Sequence, residues 1–275
     1  MTRLFGVLGH PVSHSLSPAM HAAALRAMRL QAHYEPFDVP PRFLAPVLRA
    51  LALAGVEGLN VTVPHKEAAA RLMDRLDPTA RAVGAVNTIV ISNRRLIGYN
   101  TDGVGFRQAL AELGVRRPPA CAVILGAGGA ARAVAWELAR PGSCLTIANR
   151  HPARAQALAR WLRRAKPRVW VGATSLKALA LDGVELLVNA TTVGLQPGDG
   201  LLVDSRQLRP GLRVYDLIYH RVTPLVAAAR RRGCVAAGGL SMLLYQGAES
   251  LRLWLGRRPP VDVMRRALVR ALESS

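Results

Sequence analysis

Short apolar runs alternate along this chain with longer stretches whose apolar positions recur at helical spacing, the two patterns expected of strands and of amphipathic helices. "RLFGVLG" (3–9), "AHYEPFDV" (32–39) and "GLNVTV" (58–63) read as strands, with helices near 17–29 and 41–54 between them. That β-α-β-α-β rhythm predicts a mostly parallel sheet covered by helices. Two β-rich runs in "AVNTIVISNRRLIGYNTD" flank "SNRR" and predict a hairpin. Residues 103–114 fit a helix with Gly114 as its stop, and "RRPP" (116–119) then punctuates the chain as a linker.

A second rhythm begins at "CAVILG" (121–126), followed by helix 129–139, strand "CLTIANR" (144–150), helix 153–164 and strand "RVWVGAT" (168–174). A short helix is expected at 175–181, then strand "VELLVNAT" (184–191), a Gly/Pro-rich loop (194–200) and strand "LRVYDLIY" (212–219). Helix 224–232, strand "CVAAG" (234–238) and helices near 241–255 and 261–273 complete the chain. The whole reads as an α/β protein in two parts.

Composition narrows the class. At 275 residues and 51% hydrophobic content the chain can bury a core. No apolar run reaches the roughly 20 residues that cross a bilayer, and the start lacks the apolar region of a secretory signal. A soluble, cytoplasmic protein with no membrane partner is expected. Cys121, Cys144 and Cys234 are widely spaced and form no CxxC, which argues against a zinc site or a disulfide framework, and no metal is expected. The formal net charge of +20 raises nucleic-acid binding. The arginines, however, lie in scattered pairs and triplets with few aromatics between them, as on solvated helix faces, so no nucleic-acid partner is expected. The oligomeric state is not fixed, and a homodimer stays open.

"VILGAGGAARAVAWELA" follows a strand and opens a helix, and Gly126, Gly128 and Ala131 fit G-x-G-x-x-G/A. Gly126 permits the tight turn, Gly128 lets the backbone approach a pyrophosphate, and Ala131 allows close helix–strand packing. The helix N-terminus then offers N–H groups to phosphate. After the next strand a site for NAD wants an acid; here "ANRHPARA" supplies Asn149, Arg150 and Arg154 instead. Guanidinium grips a 2′-phosphate that an acid would repel, so NADP is favoured over NAD.

The other polar clusters lie at ends of predicted strands or helices, where open α/β sheets place their ligands. Ser15 and Ser17 sit near a helix start and could cap it or hold a carboxylate. Asn60 and Thr62 share one face of a strand that leads to Lys66, and Asn87, Asn100 and Asp102 follow. Lys66 is one of only three lysines in a chain that otherwise uses arginine. It falls at a helix start, the unfavourable end for a cation, which points to a chemical role. An amine can release and take back a proton; a guanidinium cannot.

The segments "GHPVSHSLSPAMHAAAL", "NVTVPHKEAA", "GAVNT", "GYNTDGVGF", "LGAGGAARA", "ANR", "NATTVG", "YDLIY" followed by "TPL", and "GLSMLLYQGAESLRLWLG" together resemble the shikimate dehydrogenase family, in the right order along the whole chain. The resemblance implies an N-terminal α/β substrate domain (1–103 with 240–275), an inserted Rossmann-like NADP domain (104–239) and an active site in the interdomain cleft. The implied reaction is the reversible reduction of 3-dehydroshikimate by NADPH to shikimate, in chorismate and aromatic amino-acid synthesis. Lys66 and Asp102 look like the catalytic pair, Ser15 and Ser17 like carboxylate ligands, and Thr62, Asn87 and Gln246 like ligands of the other polar groups. Asn60 joins them as a substrate-side residue, and Tyr219 looks like a further hydroxyl near the carboxylate. Gly126, Ala127, Gly128, Gly129 and Ala130 would hold the pyrophosphate, and Asn149 to Arg154 the adenosine ribose phosphate. Thr191, Leu217, Gly239 and Met242 fall on the cofactor side, the last three near the nicotinamide. Two departures stand out: His151 where the family usually has Thr or Ser, and "NATTVGL" for "NATSxGM". A quinate or dual quinate/shikimate enzyme of the same superfamily is the alternative, and Arg150 argues against an NAD-preferring one.

Overall fold

The structure is a computed structural model that describes residues 2–274. The chain divides into two compact units, residues 1–105 with 243–275, and residues 106–242.

The first unit opens as β1 (Arg3–Gly9), α1 (Ser17–Ala27), β2 (Ala32–Asp38), α2 (Leu44–Leu53) and β3 (Val56–Val61). Then come α3 (Lys66–Leu72), β4 (Arg75–Leu76), α4 (Pro78–Val83), the hairpin β5 (Thr88–Ser92) and β6 (Arg95–Tyr99), and the start of α5 (Asp102–Glu112). Most of α9 (Leu240–Leu255) and all of α10 (Val261–Glu273) also belong to it. Six strands form one sheet in the order β2-β1-β3-β5-β6-β4. The β1 pairings with β2 and β3 are parallel, whereas β5 is antiparallel to both neighbours. Alternation along the strands feeds both faces. Leu8, Leu59 and Ile89 meet α2 and α3 in one core. On α9, Trp254 stacks on Phe5 at 5.2 Å and donates its indole N–H to the Ile89 carbonyl. The segment 66–83 carries three short elements beyond the helix start expected at Lys66. Asp77 caps α4 by accepting from the Ala80 and Thr79 N–H groups, Pro78 sets its first turn, and Gly84 ends it at φ 69°.

The second unit contains β7 (Cys121–Leu125), α6 (Gly129–Leu138), β8 (Cys144–Asn149), α7 (Pro152–Ala165), β9 (Trp170–Ser175), β10 (Leu186–Asn189), β11 (Arg213–Asp216), α8 (Pro224–Arg231) and β12 (Val235–Ala237). Its six-stranded sheet, β12-β11-β10-β7-β8-β9, is parallel at every pairing. This is the doubly wound order, with the switch point between β7 and β10. Ala122 and Ile124 face the core under α6 and α7, while Val123 and Leu125 face the core under α8. Burial on both faces explains why these strands read as unbroken apolar runs.

One expected element is absent. Residues 176–181 form no helix, because their backbone groups are taken by side chains from elsewhere. Ser175 Oγ accepts from the Ala178 N–H, Gln207 bonds the Leu181 N–H and the Leu179 carbonyl, and Arg209 bonds the Leu181 carbonyl. The last strands are also shorter than their apolar runs. The Asp216 carboxylate accepts from the Ile218 N–H and the Asn189 amide oxygen from the Thr191 N–H, so both chains turn out of the sheet there. Among the described residues, no helix is long and apolar enough to cross a membrane, and no group of three or more His, Cys, Asp or Glu could hold a metal ion. Cys121 and Cys144 lie side by side, half-buried, at paired positions of β7 and β8.

Candidate active site

In the first unit, β3 ends at Val61 and the chain turns through Thr62–His65 into α3. The turn is pinned by backbone bonds from Thr62 N–H to the Leu8 carbonyl and from His65 N–H to the Thr62 carbonyl. Buried His65 bonds the Val39 carbonyl through Nε2 at 2.7 Å, and its pKa is lowered, chiefly by burial. Lys66 therefore starts α3 from a fixed base, and its own carbonyl accepts from the Val86 N–H. Its ammonium reaches Asp102 Oδ2 at 2.6 Å. Asp102 opens α5, the helix end that favours a carboxylate, and its N–H bonds Asn100 Oδ1. Side-chain exposures of 17% for Lys66 and 4% for Asp102 set the pair apart from surface ion pairs.

The other Asp102 oxygen accepts from Asn87 Nδ2 at 2.8 Å. The same amide nitrogen lies 2.9 Å from Thr101 Oγ1 and 3.1 Å from Gln246 Oε1. Lys66, Asp102, Asn87 and Gln246 thus form one cluster within the first unit. The Thr62 hydroxyl, on a half-buried residue at the same turn, makes no hydrogen bond among the described residues. Ser15 Oγ accepts from the Ser17 N–H at 3.3 Å, and Ser17 is buried in the first turn of α1. Asn60 is turned inward instead: it is 5% exposed, and its amide bonds Tyr34, the Asn87 carbonyl and Ser250. Tyr34, Thr88, Thr101 and Ser250 were not singled out by sequence as site residues. The one local hint was Ser250, a polar residue one helical turn after Gln246 in a largely apolar helix.

In the second unit, Gly126 follows β7 with φ 112°, and a Cβ there would stand 2.7 Å from the Ala190 carbonyl oxygen, so only glycine makes this turn. Gly128 caps α6 with open space where its side chain would be. The helix starts at Gly129 and Ala130 with no acidic residue in its first turn and no side-chain cap, leaving N–H groups for an anion. Ala131 is buried against the sheet. Beyond β8, Asn149 Oδ1 accepts from the His151 N–H and shapes the turn. Arg150 and Arg154 are exposed, and neither has an ion-pair partner among the described residues. Thr191 and Ala127 lie at the two loops of the switch point; the Thr191 hydroxyl is engaged with Asn189 at 2.7 Å. Leu217 and Gly239 meet so closely that a Cβ on Gly239 would collide with the Leu217 carbonyl. Met242 is packed in the core with its N–H on the Tyr215 hydroxyl. Tyr219 lies against His220 with ring centroids 4.0 Å apart and planes tilted by 40°, and burial pushes its phenol up to about 12. The glycine cradle, the open Gly128 and the unpaired guanidiniums fit a dinucleotide with an extra phosphate.

A doubly wound unit with a glycine-lined phosphate turn, and an α/β unit carrying a sequestered lysine–aspartate pair, define the class of dinucleotide-dependent oxidoreductases. The model of the shikimate dehydrogenase substrate binding domain matches residues 7–89, and that of the shikimate 5'-dehydrogenase C-terminal domain matches residues 239–269. The chain belongs to the shikimate dehydrogenase family. It is 50% identical over 271 residues to "Shikimate dehydrogenase (NADP(+))" of Rubrobacter xylanophilus, covering 97% of this chain and 95% of that one. Among solved structures, it matches a shikimate dehydrogenase in complex with NADP+ with a TM-score of 0.93 and 40% identity, over 98% of this chain and 96% of that one. The Thermus thermophilus shikimate 5-dehydrogenase in complex with NADP(H) and shikimate gives 0.89 and 39%, over 98% and 100%.

Proposed function

We propose that this chain catalyses the reversible NADPH-dependent reduction of 3-dehydroshikimate to shikimate, with Lys66 and Asp102 as its acid–base pair. The observation that carries the reading is the 2.6 Å contact between Lys66 and Asp102, with Asn87 on the second carboxylate oxygen. Relatives named as NADP(+) shikimate dehydrogenases along nearly the whole chain support the same reaction.

Reducing a ketone to an alcohol requires a hydride on carbon and a proton on oxygen. NADPH, when bound, supplies the hydride. Gly126 to Ala130 hold its pyrophosphate, and Asn149, Arg150, His151 and Arg154 its ribose phosphate. The Lys66 ammonium stabilises the charge that develops on the substrate oxygen and delivers the proton. In the oxidation direction the neutral amine takes the hydroxyl proton. Asp102 aims the ammonium and accepts a hydrogen bond from the same hydroxyl. Thr62, Asn87 and Gln246 orient the ring, and Ser15 and Ser17 take the carboxylate at the start of α1.

Initial rates of NADP+ and NAD+ reduction, each with shikimate and with quinate, test the assignment. Shikimate with NADP+ is expected to exceed every other pairing in kcat/KM by roughly tenfold or more. A preference for quinate with NAD+ would overturn it.

A further inference from the structure

Beneath the Lys66–Asp102 pair lies a buried polar network for which the dehydrogenase reading has no stated use. Its junction is Ser250 on α9, which is fully buried. Ser250 Oγ lies 2.9 Å from the Gln246 carbonyl, 2.9 Å from Asn60 Nδ2, 2.7 Å from Thr88 Oγ1 and 3.3 Å from Thr101 Oγ1. The donor inventory fixes the directions. Thr88 has one proton, and the acceptor-only Asn87 oxygen 3.1 Å away takes it, so Thr88 accepts from Ser250; Thr101 Oγ1 supplies the Gln246 carbonyl at 3.0 Å, and Ser250 accepts from Asn60.

The same reasoning orients both asparagines. The Tyr34 hydroxyl donates to Asn60 Oδ1 at 2.8 Å, and Asn60 Nδ2 donates to the Asn87 carbonyl at 3.2 Å. The Thr101 backbone N–H donates to Asn87 Oδ1 at 2.8 Å, so Asn87 must turn its NH2 toward the Asp102 carboxylate. Thr88 Oγ1 donates to that same Asn87 oxygen at 3.1 Å.

We propose that Ser250, Thr88 and Asn60 are positioning residues for the Lys66–Asp102 pair. They clamp Asn87 in one orientation, so that Asp102 keeps one oxygen on Asn87 and presents the other to Lys66. Packing alone gives no reason for a buried serine, threonine and asparagine here, because alanine, valine and leucine avoid their desolvation cost. The proposal also moves Asn60 from the substrate side to the support. It rests on the dehydrogenase reading of the site.

The test compares Ser250→Ala, Thr88→Val and Thr88→Ser with the wild-type enzyme in shikimate oxidation by NADP+, scaled to folded protein by circular dichroism. Ser250→Ala and Thr88→Val are expected to lower kcat roughly tenfold with the KM for NADP+ unchanged, while Thr88→Ser, which returns the hydroxyl, restores most of the rate. Should Ser250→Ala fail to fold, the Thr88 pair decides. The proposal is overturned if kcat per folded enzyme stays within twofold of wild type in the hydroxyl-deleted variants, or if Thr88→Ser loses as much as Thr88→Val. A wild-type chain inert toward shikimate would overturn the dehydrogenase reading and the proposal with it. An active wild type with unaffected variants overturns the proposal alone.

Discussion

Arg150 and Lys66 show how much chemistry a single side chain's type can carry in this protein. Both are basic, in a chain with 37 lysines and arginines, yet each is specific to its place. Arg150 follows β8 on the exposed turn that Asn149 shapes, with no carboxylate partner among the described residues. Arg150→Ala is therefore expected to raise the KM for NADP+ by at least about tenfold and leave that for NAD+ within a factor of two, since a charge-assisted bond to the 2′-phosphate is lost. Equal effects on both cofactors, in steady-state titrations, would refute the contact. Lys66, by contrast, was legible because lysine is rare here and sits at a helix start. Its partner Asp102 was legible through its motif. Ser250 is signalled only by its place one helical turn after Gln246; its partner Asn60 lies 190 residues away and meets it only through the fold. Asn60 shares its strand's alternation with Thr62, which made it a ligand candidate, but alternation says only which face a side chain takes. It does not say whether that face is already occupied.

At the scale of elements, the strands and the helices that cover them followed from period and punctuation, and the glycine turn from its need for positive φ. Failures came where distant side chains captured the backbone: the expected helix at 175–181 loses its hydrogen bonds to Gln207 and Arg209, more than twenty residues away. The packing of α1 onto β2 and α9 shows a different hidden feature. His21 is fully buried, stacked on Tyr34 at 4.3 Å and tilted against Trp254 at 5.4 Å, and among the described residues neither ring nitrogen has a hydrogen-bond partner. Burial depresses its pKa to about 3. The folded state thus keeps His21 neutral, while the unfolded chain protonates it below about 6.5. The stability it contributes is complete above pH 6.5 and is lost as pH falls toward 3, by roughly 1 kcal/mol per pH unit. His21→Leu is expected to flatten the fall in urea midpoint between pH 6.5 and 4. Parallel curves for variant and wild type would show that another group sets the acid slope.

For the whole molecule, the two units divide the chemistry. One holds the Lys66–Asp102 pair proposed as acid and base, with the buried polar network around it; the other is a parallel, doubly wound sheet with the glycine turn at its switch point. The central claim is that Lys66 exchanges the proton, and a charge-preserving substitution isolates it. In the oxidation of shikimate by NADP+ followed spectrophotometrically, Lys66→Arg is expected to keep substrate KM within a few-fold and to lose roughly 10² or more in kcat, the range of general acid–base catalysis. A Lys66→Arg enzyme turning over near the wild-type rate would contradict the account.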